Sequence, residues 1–283
     1  MAVVEYEDQR FTGERALFKT SNAQIIDCIF ADGESPLKES DNLNIIRSSF
    51  QWKYPLWYCE NVKVQNATFH EMARAGIWYT NHIEIIDSLY GAPKGFRRCV
   101  DIKLKDVQIP HADETLWNCD QVKLTNVSAK GDYFAMNTSN FEMENVSLQG
   151  NYAFDGCKNV KVKNCKFIAK DAFWNCENVV VEDSYICGEY IGWNSKNLVF
   201  KNCIIESEQG FCYIDNLKLE NCKVLNTNLA FEYVSNVDAD IKTPMISIKN
   251  PINGKINVAK GVGEIIFDDK KIDSSKTTIN IIK

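Results

Sequence analysis

Two aspartates and one arginine have the residue types and spacing that acid–base chemistry requires. Asp113 and Asp132 occupy equivalent positions in neighbouring copies of a sequence repeat, so stacked copies would place their Cα atoms about 5 Å apart. Two carboxylates at that separation suit the catalytic pair of a retaining glycosidase or a cation-binding site. The alternative interpretation is that both are solvated loop charges. Arg97 either binds an anionic group or stacks on Trp78 and Trp117.

The tryptophans form a second pattern that points to a function. Five of the six occupy one position of the repeat. An apolar residue stands before most of them and is expected to point inward, and strand alternation then turns the tryptophan outward. An exposed aromatic ridge suits the binding of sugar rings or other flat ligands. This tryptophan column, with the arginine that interrupts it, consists of Trp57, Trp78, Arg97, Trp117, Trp174 and Trp193.

Small residues recur two positions before the tryptophan column. Alternation places them on the same outward face, where they would form a shallow channel beside the aromatic ridge. The members of this small-residue column are Pro55, Gly76, Gly95, Thr115, Ala153 and Ala172. The competing interpretation is that alternation breaks at a bend, so that the tryptophans fill the core or lie beneath a loop.

Both columns belong to a repeat of 19 to 21 residues, for example "NVKVQNATF" and "NLKLENCKV". Apolar and polar residues alternate within each copy, which is typical of a strand with one buried face. Helical spacing is absent, and the unit is too short for two packed helices. The repeat therefore predicts a parallel β-helix. Its eleven copies begin at Asn22, Asn42, Asn61, His82, Asp101, Gln121, Asn140, Asn159, Asn178, Asn197 and Asn216.

Asn or Asp recurs five residues after the start of nearly every copy, which indicates a turn stabilised by side-chain hydrogen bonds along the helix axis. The chain has eleven cysteines, and most fall into two further columns without the paired spacing of a zinc site. We interpret them as small, reduced side chains that fill tight corners. No metal ion or cofactor is expected.

Composition limits the partners. The net charge of -6 and the absence of a basic run argue against nucleic acid, and no segment is apolar enough to span a membrane. The first residues lack the pattern of a signal peptide, and the many cysteines without such a signal favour a reducing compartment. A cytoplasmic location is therefore expected.

The coil pattern resembles the pectin-lyase-like superfamily of right-handed parallel β-helices. The segments "TGERALF", "GESPLKES", "YPLWY" and "GIWYT" are similar to a bacterial family known as domain of unknown function 3737. That resemblance implies a β-helix and no established activity. The Gly-His-Gly and Arg-x-Lys signatures of polygalacturonase-type enzymes are absent, so an active pectate lyase or polygalacturonase is not expected.

The sequence thus predicts an all-β protein, a single-stranded right-handed parallel β-helix with about eleven coils. One domain is expected over residues 1–283, with an N-terminal cap at 1–20, regular coils at 21–235, and degenerate coils and a C-terminal cap at 236–283. The favoured function is saccharide or flat-ligand binding on the tryptophan column. The alternative is a scaffold that contacts a protein partner or its own copy, and enzymatic activity as a lyase or hydrolase is the third hypothesis.

Overall fold

The computed structural model describes residues 3–282, which form an all-β parallel β-solenoid of about 15 coils. The expected fold class is confirmed. The described chain divides into two compact units between Ser147 and Leu148.

In the first unit each coil contributes one longer strand, and the longer strands of successive coils pair in parallel. Shorter strands follow at the corners. The strands from the start of this unit to the boundary are β1 (Val4–Glu7), β2 (Arg10–Phe11), β3 (Ser21–Ile26), β4 (Ile29–Phe30), β5 (Asp41–Ile46), β6 (Ser49–Phe50), β7 (Leu56–Trp57), β8 (Glu60–Gln65), β9 (Thr68–Phe69), β10 (Ile77–Trp78), β11 (Asn81–Tyr90), β12 (Phe96–Arg97), β13 (Val100–Ile109), β14 (Asp120–Thr125), β15 (Ser128–Lys130), β16 (Ser139–Glu144) and β17 (Ser147–Gln149).

The second unit repeats the arrangement, and its longer strands also pair in parallel. One short 3-10 helix, Ser274–Lys276, precedes the last strand. The strands are β18 (Lys158–Lys163), β19 (Lys166–Ile168), β20 (Glu177–Glu182), β21 (Tyr185–Gly188), β22 (Lys196–Lys201), β23 (Ile204–Ser207), β24 (Asp215–Leu225), β25 (Ser235–Ile241), β26 (Met245–Lys249), β27 (Gly254–Ala259), β28 (Val262–Ile266) and β29 (Thr277–Ile282).

The expected number of eleven coils is wrong, because the ladder extends past both ends of the recognisable repeat. Strand β1 pairs with β3, and β25, β27 and β29 continue the ladder after β24. Parallel pairing uses backbone N–H and C=O groups, so it needs an extended segment of the right length and not the corner motif. Coils without the Asn and Cys columns therefore still join the solenoid.

The interior is filled by alternate side chains of each strand, such as Val62 and Val64 of β8. Phenylalanines stack from coil to coil, with ring centroids 4.9 Å apart for Phe30 and Phe50 and 4.7 Å apart for Phe50 and Phe69. Burying a side chain of this size stabilises the fold by about 1.5–3 kcal/mol. Because a one-residue slip would expose these rings, the interior fixes the register of every outward column.

The Asn and Asp column forms left-handed corners. Asp106, Asn126 and Asn145 have φ angles of 56°, 54° and 55°. Such a backbone costs most residues about 1–2 kcal/mol, and short polar side chains offset part of that cost. Asn126 Nδ2 donates to Asp106 Oδ1 at 2.8 Å, and Asn145 Nδ2 donates to Asn126 Oδ1 at 3.1 Å. The corners of adjacent coils are therefore bonded to each other.

All eleven cysteines are free, and all except Cys187 are buried. The corner of Cys59 and Thr80 shows why small donors recur there. Cys59 Sγ donates to the carbonyl of Leu37 at 3.1 Å, and Thr80 Oγ1 donates to the carbonyl of Leu56 at 2.7 Å. Burial raises the pKa of the Cys59 thiol to about 12. Its reactive thiolate form is consequently scarce at neutral pH.

Candidate functional site

The tryptophan column points outward and is half-buried. Leu56 and Ile77 are fully buried, while Trp57 and Trp78, which follow them, remain partly exposed. Strands β7, β10 and β12 pair in parallel and hold Trp57, Trp78 and Arg97 in one row. The short strands thus position the side chains that the sequence singled out in the first unit.

The expected outer channel of small residues does not exist, because this column faces the interior. Thr115 and Leu116 are consecutive and both fully buried. Leu116 has a φ of 61°, and this left-handed residue interrupts the alternation of a strand. A Cβ at Gly76 would come within 2.5 Å of the Tyr90 hydroxyl oxygen, so an interior side chain already lies against that glycine. The buried members are Pro55, Gly76, Gly95, Thr115, Ala153 and Ala172.

In the first unit the column is a continuous stack. The rings of Trp57 and Trp78 are parallel within 7°, with centroids 5.1 Å apart. The guanidinium carbon of Arg97 lies 4.5 Å from the Trp78 ring centroid and 4.7 Å from that of Trp117. Arg97 Nη2 also pairs with the Glu114 carboxylate at 3.3 Å. Both faces of Trp78 are therefore covered, so a ligand reaches this indole through its edge.

Hydrogen bonds hold each indole of this stack in place. Trp57 Nε1 donates to the carbonyl of Ala75, and Trp78 Nε1 donates to that of Lys94 at 3.0 Å. Trp117 Nε1 donates to the carbonyl of Tyr133 at 2.6 Å. A half-exposed ring whose polar atom is already bonded to the next coil is fixed before any ligand arrives, which lowers the entropic cost of binding.

An apolar groove runs beside the first two tryptophans. Its volume is about 320 Å³, and we call it the aromatic groove. Tyr54 stands at one side, with its ring centroid 4.6 Å from that of Trp57. The groove is lined by Tyr54, Trp57, Arg74, Ala75, Trp78, Pro93 and Lys94. Arg97, Trp117, Trp174 and Trp193 are not among its walls.

Two cations border the aromatic groove. Lys94 Nζ pairs with the Glu114 carboxylate at 3.2 Å, and that carboxylate also pairs with Arg97. Arg74 is exposed, and its guanidinium has no ion pair or hydrogen bond within the part of the chain that the structure describes. Since Glu114 already partners Lys94, Arg74 is the cation of this groove that remains available to a ligand.

The acid–base candidates occupy a different place. Asp113 Oδ1 accepts a hydrogen bond from the backbone N–H of Asp132 at 2.9 Å, so this carboxylate links adjacent coils. Neither aspartate lines the aromatic groove.

Among residues 3–282, no group of three or more His, Cys, Asp or Glu side chains is arranged to hold a metal ion. No described helix is long and apolar enough to cross a membrane.

The tryptophans of the second unit are packed more loosely. The Trp174 and Trp193 centroids are 6.0 Å apart, with the rings inclined by 34°. Trp193 also contacts Tyr213, at a centroid distance of 4.6 Å. Trp174 Nε1 is buried and has no hydrogen-bond partner within the described residues, unlike the bonded indoles of the first unit.

Sequence reasoning missed the groove residues outside the tryptophan column. Tyr54 had a detectable signal, because tyrosine recurs three residues before the column at Tyr133, Tyr152 and Tyr190 as well. Arg74 and Pro93 had none, since they belong to connections of variable length between the repeated strands, and Lys94 replaces the recurring tyrosine at its position three residues before Arg97. The position of such a connection depends on packing that no periodicity encodes.

Several solved structures match this chain at low identity. PfbA, a surface adhesin of Streptococcus pneumoniae, gives a TM-score of 0.45 at 9% identity and covers 98% of this chain and 82% of its own. A mutant tailspike of E. coli bacteriophage HK620, solved in complex with pentasaccharide, gives 0.45 at 10% identity, with 94% and 72% covered. The A-module of AlgE4, a mannuronan C-5 epimerase of Azotobacter vinelandii, gives 0.27 at 10% identity, with 100% and 89% covered. Likenesses this distant carry no conclusion about this chain.

Comparison with curated proteins gives no match. One family model matches residues 4–280, which is nearly the whole chain and includes every strand of both units apart from the last two residues of β29. The chain therefore belongs to the family described as protein of unknown function, DUF3737.

Proposed function

We propose that this protein binds a saccharide or another flat ligand in the aromatic groove of its first unit. The observation that carries the proposal is the groove itself, whose walls include Tyr54, Trp57 and Trp78. Binding pockets for small ligands begin at roughly 300 Å³ and are mostly apolar, with a few polar groups that fix orientation. At about 320 Å³, the groove suits one ring of a ligand.

The groove offers aromatic side chains to the apolar part of such a ligand and a cation to its polar substituents. Aromatic side chains shield the apolar face of a sugar or planar ring from water. Arg74 offers a planar set of N–H donors, which match a carboxylate or a pair of neighbouring hydroxyls. Because Arg74 has no partner among the described residues, a ligand can recruit it without breaking an ion pair. A ring that carries an acidic group is therefore favoured.

A polar groove on another side of the first unit is a weaker candidate. Its volume is about 430 Å³, and its walls include Asp106, Asn126 and Asn145. These side chains are hydrogen-bonded to one another at the corner ladder. Several of their polar atoms thus already have partners, and no aromatic side chain lies in the walls of this polar groove.

The proposal is tested with a glycan array that includes acidic and neutral sugars, followed by calorimetric titration of the best ligand. Arg74→Ala should weaken binding at least about tenfold, since hydrogen bonds to charged groups contribute about 1.5–3 kcal/mol. Lys105→Ala is the matched control, because Lys105 is an exposed cation of the same unit that does not line the groove. We expect this control to bind like the wild type.

The competing function is a scaffold or homo-oligomer that uses the same face. Sedimentation velocity over a range of concentrations distinguishes the two. Association of copies together with no response on the array would overturn the ligand-binding proposal. Binding that Arg74→Ala leaves unchanged would overturn the assignment to this groove.

A further inference from the structure

Asp171, in the second unit, is a buried carboxylate with an unmet hydrogen-bonding capacity. Its side chain is only 2% exposed, and Oδ1 has no hydrogen-bond partner within the described residues. Buried carboxylates are normally paired or hydrogen-bonded, because an isolated charge out of water is costly. A polar atom left in this state marks a place where a further group would be stabilised.

The nearest cation does not supply that group. Lys170 Nζ forms an ion pair of 2.7 Å with the Glu189 carboxylate. The Lys170–Glu189 pair is neutral as a unit, and Glu208 lies close enough to act on the same cluster. The charges around Asp171 therefore sum to an excess of negative charge, which favours an incoming cation.

Aromatic residues occupy the coil of Asp171 and both flanking coils. The Tyr152 ring meets Trp174 edge-on at 6.1 Å, and the Tyr190 ring meets Trp193 edge-on at 5.6 Å. Tyr152 and Tyr190 occupy the position of Asp171 in the preceding and following coils, so they flank it along the stack. All four rings are half-buried, which leaves a surface route to the cluster.

The two tryptophans are also splayed at this level. Their centroid distance of 6.0 Å and inclination of 34° contrast with 5.1 Å and 7° for Trp57 and Trp78 in the first unit. Trp174 Nε1 is the second buried polar atom of this cluster that lacks a partner. Tight ring stacking and indole hydrogen bonding, both present in the first unit, are thus relaxed beside Asp171.

We propose that Asp171, together with the rings of Tyr152, Trp174, Tyr190 and Trp193, forms a binding site for a small organic ammonium ion. Aromatic faces attract cations through their quadrupoles, and quaternary ammonium groups are recognised in cages of this composition. The Asp171 carboxylate neutralises the ligand charge. A hydroxyl oxygen two carbons from the nitrogen, as in choline, accepts a hydrogen bond from Trp174 Nε1, while the ammonium charge pairs with the Asp171 carboxylate.

The test is calorimetric titration of the full chain with choline chloride at constant ionic strength. The comparison ligand is the neutral carbon isostere of choline, in which a tert-butyl group replaces the trimethylammonium group. Choline should bind at least about tenfold more tightly than the isostere, because only the cation gains from the carboxylate and the ring quadrupoles.

Two variants complete the test. Asp171→Asn keeps the shape of the side chain and removes its charge, and we expect choline affinity to fall at least about tenfold. Asp183→Asn is the matched control, because Asp183 is an exposed aspartate of the same unit on the corner ladder, where asparagine is common. The Asp171→Asn variant should stay folded, because the carboxylate that it removes is buried and lacks a hydrogen-bond partner at Oδ1. Circular dichroism checks this.

Three results would overturn the proposal. They are no choline binding by the wild type, equal affinity for choline and its neutral isostere, or wild-type affinity in a folded Asp171→Asn variant. A loss of affinity in Asp183→Asn as large as in Asp171→Asn would also contradict it.

Discussion

A carboxylate shielded from solvent is disfavoured in its charged form, and Asp171 shows the consequence. Burial raises the pKa of Asp171 above its ordinary value of 3.8, with a further increase from Glu189 and an opposing effect from Lys170. Between 3.8 and this raised pKa, the folded state binds more protons than the unfolded state. Stability therefore falls as pH rises through that window.

Asp171→Asn should remove this component of the pH dependence. The melting temperature of the variant, minus that of the wild type, should increase as pH rises from about 3.8 and then level off above the raised pKa. Groups whose pKa is lowered, such as Asp27 and Asp120, have the opposite effect, but they are common to both proteins and cancel in the difference. Calorimetric scans of both proteins at several pH values measure this difference in melting temperature. A difference that stays constant or declines would contradict the assignment.

At the scale of elements, the stack of the tryptophan column on β7, β10 and β12 holds these short strands together. Arg97 lies between two indoles and pairs with Glu114, so it links β12 to its neighbours. Each cation–π contact at a partly exposed site contributes about 0.5–1 kcal/mol, and an exposed ion pair contributes about 0–1 kcal/mol.

Arg97→Ala should consequently lower the free energy of unfolding by about 1–3 kcal/mol, measured by chemical denaturation. Arg98→Ala is the neighbouring control, because Arg98 is exposed and makes one longer cation–π contact, 5.9 Å from the Tyr79 ring. Its effect should be smaller. Equal effects of the two substitutions would mean that the stack does not stabilise these strands.

The same stack shows what the sequence could and could not predict. Strand periodicity predicted the β-solenoid and the position of the tryptophan column, because burial requires alternate apolar residues in every coil. It left two alternatives open for Arg97, anion binding or stacking on Trp78 and Trp117, since the rotamers of neighbouring coils decide that contact; the structure shows the stacking. The left-handed residue Leu116 places Thr115 of the small-residue column in the interior, and a backbone angle of this kind is not encoded in alternation.

For the whole molecule, the coil count was underestimated because backbone pairing tolerates coils without the corner motif, as β1 and β29 show. The aromatic groove escaped prediction for a related reason. Arg74 and Pro93 come from connections of variable length, and Lys94 replaces the tyrosine that recurs at its position. Repetition therefore predicts the framework of this protein, while the departures from repetition create its candidate sites.

The most direct measurement of the central claim is a crystal structure of the protein with the best ligand from the glycan array. Electron density for a ring should appear in the aromatic groove, against Tyr54 and the edges of Trp57 and Trp78, with the Arg74 guanidinium turned toward a carboxylate or hydroxyl pair. An empty groove at saturating ligand, or ligand density elsewhere on the protein, would contradict the proposed function.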